Sequence, residues 1–292
     1  MSFPSRVSAV VLACRDVQGA RGFFENLGWE TGADPGAPFV PFALQGMVLV
    51  IQQRAAAVDE FGADAARFRD VGLLAGVPSA DRVDAALAHA ESAGARITAP
   101  ARERPFGRGG SCVDPEGNVW EIAFSPDVDL AALAPRRGQQ PGTVIPRLST
   151  VTVATPDVLA LRAFYERLGF HTAVEPGRED IAQFQLDGAL FSTWIAAEAE
   201  AEVARPLAAH GLPYRHVELG IVVESAAAVD GNFEAARAAG ATVISEPATR
   251  SWGGRSGYFA DAEGFPWEIV HIPGASFTAR GGLIVPGGLT PE

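Results

Sequence analysis

Residues 7–14, VSAVVLAC, form a valine-rich apolar run, and the pattern changes at once after Asp16. The run predicts a strand, and the aspartate stands where a helix N-cap accepts backbone N–H bonds. Ala20, Phe23, Phe24 and Leu27 then recur at helical spacing on one face, and Gly28 supplies the left-handed residue that ends a helix. Three short strands are expected next: around Trp29, over 39–44, and over 47–52 after a turn at Gly46. This module reads β-α-β-β-β. A second one starts with a strand over 71–77, continues in a helix over 80–93 with Val83, Leu87 and Ala90 on one face, and stops at Gly94. Strands are expected at 96–97, 111–114 and 119–124.

The same pattern returns. LSTVTVATPDVLALRAFYERLG at 148–169 matches 7–28, and DAEGFPWEI at 261–269 matches DPEGNVWEI at 114–122. The second helix face is Leu161, Phe164 and Leu168, entered at Asp157 and left at Gly169. A later strand over 217–223, a helix carrying Val229, Phe233 and Ala236, a stop at Gly240 and strands over 258–261 and 267–271 complete a fourth module. The offset is 141 residues at Asp16/Asp157 and 147 at Trp120/Trp267, so whole domains repeat and loops differ. The expected organisation is a first domain over 1–134, a Pro/Gly/Gln linker over 135–146, a second domain over 147–274 and a poorly ordered tail over 275–292.

The D-x6-F-[FY]-x2-LG helix from Asp157 to Gly169, the AGA helix ends at 93–95 and 239–241, and SGYFADAEGFPWEI at 256–269 resemble the vicinal oxygen chelate superfamily. That superfamily includes glyoxalase I, bleomycin-resistance proteins and extradiol dioxygenases. The resemblance covers nearly the whole chain. It implies an α+β fold of four βαβββ modules, arranged as two tandem domains whose curled mixed β-sheets form clefts. It also implies that the two halves form within one chain the pseudo-dimer that single-domain relatives make from two. A monomer of that kind, or a homodimer, is expected.

Metal-using members of the superfamily carry a His or Gln on the first strand of a module and a Glu on the last. Here the first-strand positions are Ala9 and Thr150, and their second-module counterparts are Gly72 and Glu218. The last-strand carboxylates are Glu121 and Glu268. Because a catalytic metal usually takes about three protein ligands, no resident cofactor is expected. The alternative is a divalent Fe, Mn, Zn or Ni at His216, Glu218 and Glu268, with Glu268 as the catalytic candidate. Otherwise Glu121 and Glu268 each cap a polar spot or bind an arginine at the floor of a cleft.

The glycine-rich segments RERPFGRGGS at 102–111 and ATRSWGGRSG at 248–257 read as loops over the clefts. In them Phe106 and Trp252 are candidates to stack on a planar ligand, and Arg108, Arg250 and Arg255 to grip an anion. Thr150 offers a hydroxyl. Trp120 and Trp267 should face away from the adjacent glutamates by strand alternation, and Trp194 reads as core.

Composition narrows the chemistry further. All 23 basic residues are arginine, so Schiff-base, pyridoxal phosphate and P-loop chemistry, which need lysine, are excluded. A net charge of −12 argues against nucleic-acid binding and would attract a cationic ligand. No Gly-rich dinucleotide fingerprint or G-x-S-x-G elbow appears, and no apolar run reaches the length of a membrane helix. The two cysteines, Cys14 and Cys112, give no disulfide framework and suit a reducing cytoplasm. The expectation is a metal-free protein that sequesters a small aromatic or cationic molecule, as bleomycin-resistance proteins do. A glyoxalase-like lyase or extradiol-type dioxygenase with its site in the second domain is the alternative.

Overall fold

The computed structural model describes residues 3–44, 47–53, 71–104, 107–126, 148–172, 179–187, 189–195, 217–277 and 283–284. Phe106, His216, the turn at Gly46 and the 135–146 linker lie outside the described residues.

Four modules follow one another. The first is β1 (Ala9–Cys14), α1 (Val17–Asn26), β2 (Phe39–Ala43) and β3 (Val48–Gln53). The second is β4 (Val71–Gly76), α2 (Ala80–Ala93), β5 (Arg96–Arg104), β6 (Gly107–Val113) and β7 (Val119–Phe124). The third is β8 (Thr150–Thr155), α3 (Val158–Leu168), β9 (Ile181–Gln185) and β10 (Leu190–Ile195). The fourth is β11 (Val217–Val222), α4 (Ala226–Ala239), β12 (Thr242–Thr249), β13 (Arg255–Ala260) and β14 (Pro266–His271). A short ladder of β15 (Ser276–Phe277) and β16 (Leu283–Ile284) follows.

Local chemistry explains the helix ends. The Asp16 carboxylate accepts from Gly19 N and that of Asp157 from Ala160 N, both at 2.9 Å, which satisfies amides that the first helical turn leaves open. Gly94 and Gly240 close α2 and α4 at φ of 118° and 99°, a region that side-chain-bearing residues rarely enter.

The two seven-stranded sheets do not follow the repeat. The first runs β12-β13-β14-β11-β1-β3-β2 and joins the fourth module to the first; the second runs β5-β6-β7-β4-β8-β10-β9 and joins the second to the third. The joints are antiparallel, β1 on β11 and β4 on β8, with Ala9 opposite Gly220 and Leu74 opposite Thr150. Each cleft is therefore walled by one module from each half.

The cores do follow the repeat. In the first half Phe24 of α1 stacks on Trp29 at 5.1 Å and meets Trp120 of β7 edge-on at 5.8 Å. In the second half Tyr165 of α3 packs against Phe191 at 4.8 Å and Trp267 of β14 at 5.9 Å. These rings lie on the helix side of the sheets, where β-strand alternation places every second residue, and leave the opposite faces to the clefts. No helix among the described residues is long and apolar enough to cross a membrane.

Three expectations are corrected. Trp29 is not in a strand; it is buried in an irregular segment, where its stacking on Phe24 substitutes for strand pairing. The described part of 102–111 is strand rather than loop, since β5 runs to Arg104 and β6 starts at Gly107, whereas in 248–257 a turn over 250–254 separates the ends of β12 and β13. The tail is structured in part: Leu283 is buried, and Phe277 packs with it on Val11, Val48, Val50, Val222 and Val270. The valines of the first cleft floor supply the apolar surface that holds it there.

Candidate functional site

Register defines the floor of each cleft. Across the second sheet, Ser111, Glu121, Leu74 and Thr150 stand side by side on four neighbouring strands. Across the first, the equivalent row is Tyr258, Glu268, Gly220 and Ala9. One residue type is shared, the glutamate. Trp120 and Trp267, next to those glutamates in sequence, point into the helix-side core.

The first cleft is filled by its own chain. The Tyr258 hydroxyl donates to Glu268 Oε1 at 2.8 Å, and the Arg250 guanidinium lies over the Tyr258 ring, 5.4 Å from its centroid. Arg250 is held there by Ser256, donating from Nε to the hydroxyl at 2.8 Å and from Nη2 to the carbonyl at 3.2 Å. Glu218 lies one row along, opposite Val11, and is buried. The valine floor beyond is covered by Leu283 and Phe277.

The second cleft differs at each of these points. Its arginine is Arg104, which stands opposite Gly107 as Arg250 stands opposite Gly254. Arg104 hydrogen-bonds and ion-pairs with Glu121. Gly109 replaces Ser256 and makes this possible: a Cβ there would lie 3.1 Å from the Arg104 guanidinium carbon. Ser111 replaces Tyr258; it is fully buried, and its hydroxyl has no hydrogen-bond partner. Leu74, Thr150, Thr152, Glu121 and Gln183 are partly exposed on this floor, as Ala9 and Glu268 are on the other, while Ser111, Val119, Ala154 and Ser192 beside them are buried. At one end Trp194 packs on Val113, Val119 and Ala154 across the concavity.

The remaining candidates separate by face. Arg108 donates to both Asp84 carboxylate oxygens, at 2.9 and 3.0 Å, and Arg255 pairs with Asp230 at 2.6 Å. Both arginines therefore pin a hairpin to its helix, α2 or α4, on the side away from the cleft, and neither is placed to grip a ligand there. Trp252 is half exposed in the β12–β13 turn, its indole lying over Gly254, where a Cβ would come within 1.6 Å of the ring. Phe106 and His216 are not placed. Thr150 is the one candidate hydroxyl that lies in a cleft row.

Glu121 already holds the Arg104 guanidinium, and Thr150 and Leu74 beside it offer no strong ligand. In the first cleft Glu218 and Glu268 share a face, but Glu268 takes the Tyr258 hydroxyl and Ala9 and Gly220 contribute no donor. Among the described residues no three His, Cys, Asp or Glu side chains gather. Those residues do not fit a three-ligand metal centre.

The loop reading of 102–111 conceals Arg104, while Ser111, in the expected strand 111–114, carries no side-chain signal that marks it as a cleft residue. Counting forward from the aligned segment starts, Arg102 and Ala248, places Arg104 with Arg250.

Comparison with known proteins agrees with this architecture. The family model described as glyoxalase/bleomycin resistance protein/dioxygenase superfamily matches twice, over residues 6–122 and 147–269. A solved structure of a Bacillus subtilis protein assigned as a dioxygenase is 14% identical with a TM-score of 0.60, covering 94% of this chain and 87% of that one. Glyoxalase I from Zea mays is 14% identical with a TM-score of 0.57, covering 91% of this chain and 92% of that one. At such identity the likeness is one of fold. A search of curated protein sequences gave no match. With both repeats matched and the paired βαβββ modules in place, the chain belongs to the glyoxalase/bleomycin resistance protein/dioxygenase superfamily.

Proposed function

We propose that this chain binds a small organic molecule over the Ser111–Glu121–Leu74–Thr150 row of the second sheet, using protein side chains and no metal. The observation that carries this reading is the Arg104–Glu121 pair at the base of a partly exposed floor. A buried charge pair contributes little to stability once desolvation is counted, so its retention in a cleft is better explained by recognition. The pair offers both a cation and a carboxylate acceptor, while Leu74 and Trp194 offer apolar contact. Because Glu121 is neutralised by Arg104, the site favours a neutral or aromatic molecule over a simple cation.

Crystals soaked with a library of small aromatic fragments test the reading. Density is expected above Glu121 and Leu74, and it should be lost in crystals of Arg104→Met, which removes the cation while keeping a long side chain. Fragments found only elsewhere would overturn it.

The shared face of Glu218 and Glu268 favours a second reading, a metal-dependent enzyme with its site in the first sheet. Stoichiometric Fe, Mn, Zn or Ni in protein purified without a nickel column, lost in Glu268→Ala, would establish that reading against the first.

A further inference from the structure

The internal repeat supplies a template for the ligand. In the first sheet an aromatic ring sits under an arginine and gives its hydroxyl proton to the row glutamate: Arg250 over Tyr258, Tyr258 onto Glu268. In the second sheet the arginine and the glutamate are both present, as Arg104 and Glu121, and among the described residues no aromatic side chain stands at the position equivalent to Tyr258. Serine stands in its place. We infer that the molecule bound in the second cleft carries a phenolic ring, which takes the role that the Tyr258 side chain plays in the first, with its hydroxyl donating to Glu121.

Three observations support this. Deleting the tyrosine ring leaves a serine hydroxyl that is fully buried and has no hydrogen-bond partner, a state that costs free energy unless something else satisfies it. A phenolic oxygen bonded to Glu121 can also accept from that hydroxyl, since Ser111 and Glu121 are direct cross-strand neighbours. Secondly, glycine stands at 109 where Ser256 anchors Arg250 in the first sheet, and the Arg104 guanidinium pairs with Glu121 instead. An arriving ring moves it back to the position Arg250 holds, above an aromatic face, where a guanidinium is attracted by the ring quadrupole. Thirdly, Leu74 replaces Gly220 beside the glutamate and is partly exposed, which gives the ring an apolar surface to lie on. In the first cleft the same place has no side chain beyond the Ala9 methyl, and a Cβ on Gly220 would come within 3.1 Å of it.

This inference rests on the second cleft being the binding site, and the probe separates the two claims. 4-Methylphenol, the tyrosine side chain as a free molecule, is titrated into the full-length protein beside toluene, which lacks the hydroxyl. Saturable binding of 4-methylphenol is expected, with toluene about tenfold weaker or more, because the hydrogen bond to a charged acceptor is lost. In soaked crystals the ring should lie on Leu74 with its oxygen at about 3 Å from Glu121. Ser111→Tyr builds the ring into the protein and should abolish binding. Glu121→Gln, close in shape, should weaken 4-methylphenol about tenfold and leave toluene unchanged, which keeps the test available if Ser111→Tyr folds poorly. Equal affinity for the two probes, or undiminished binding by folded Ser111→Tyr, would overturn the inference. So would absence of 4-methylphenol from a cleft that other fragments occupy, and in that case the site itself would stand.

Discussion

Asp261 shows how single residues are balanced against burial. Its carboxylate is enclosed between β13 and β14, where it accepts from Glu263 N and Phe265 N at 2.9 Å and from the Tyr165 hydroxyl at 2.6 Å. Burial pushes its pKa up to about 6, against the downward pull of those three donors. In the first half the equivalent Asp114 is also raised by burial, and it accepts directly from Trp120 Nε1 at 3.1 Å. Phe24 stands there in place of Tyr165 and has no hydroxyl to relay the bond, as Tyr165 does for Trp267 at 3.0 Å. A carboxyl whose folded pKa is raised adds stability below its unfolded pKa, near 4, and that stability is lost as pH rises through about 6. The contribution is at most about 3 kcal/mol. Urea unfolding of the protein and of Asp261→Asn should therefore show the substitution costing more at pH 4.5 than at pH 7.5, by up to that amount. A cost that is flat or grows with pH would contradict the burial argument. The two thiols follow the same physics: burial pushes Cys112 up to about 12 and raises Cys14 as well, so neither is a thiolate nucleophile near neutral pH.

Among the elements, helices and central strands were legible because their patterns are local. Asp16 and Asp157 cap, Phe23 and Phe24 or Phe164 and Tyr165 pack, and the glycines stop the helices where spacing predicts. The β5–β6 hairpin was not legible, because Gly109 and Gly110 read as loop while pairing with β5 and β7 makes them extended; Gly253 and Gly254, read the same way, do lie in the β12–β13 turn. A loop reading sets Arg108 and Arg255 over the clefts and leaves Arg104 unassigned, whereas the folded hairpins turn Arg108 and Arg255 onto Asp84 and Asp230 of the helices. The tail misled for a different reason. Its glycines and prolines predict disorder, yet Phe277 and Leu283 find an apolar face in the first sheet that is far away in sequence. Removing residues 275–292 should expose Val11, Val48, Val50, Val222 and Val270, lower stability by about 3 kcal/mol and raise binding of a hydrophobic dye. An unchanged melting temperature with unchanged dye binding would show that the face is covered without the tail.

For the whole molecule, the exchange of modules between sheets decides where function can sit. Reading the repeat along the chain assigns one cleft to each half and makes the second half, with Glu218, Glu268 and Trp252, look better equipped. Pairing β4 with β8 and β1 with β11 keeps those residues in one sheet but sets them beside the first module, so each cleft draws on both halves and the repeats cannot be ranked separately. The cleft that sequence favoured is occupied by Tyr258 and the tail. The other keeps a partly exposed floor with Arg104 and Glu121 at its base. Tryptophan places a reporter in each region: Trp194 closes one end of the second cleft, Trp252 lies in the hairpin turn of the first sheet, and Trp29, Trp120 and Trp267 are buried in the cores. The most direct measurement is the set of indole N–H resonances of 15N-labelled protein during titration with aromatic fragments, assigned by Trp→Phe variants. Binding in the second cleft predicts saturable shifts at Trp194 with Trp252 unmoved. Saturable shifts at Trp252 with Trp194 unmoved would contradict the account and move the site to the first sheet.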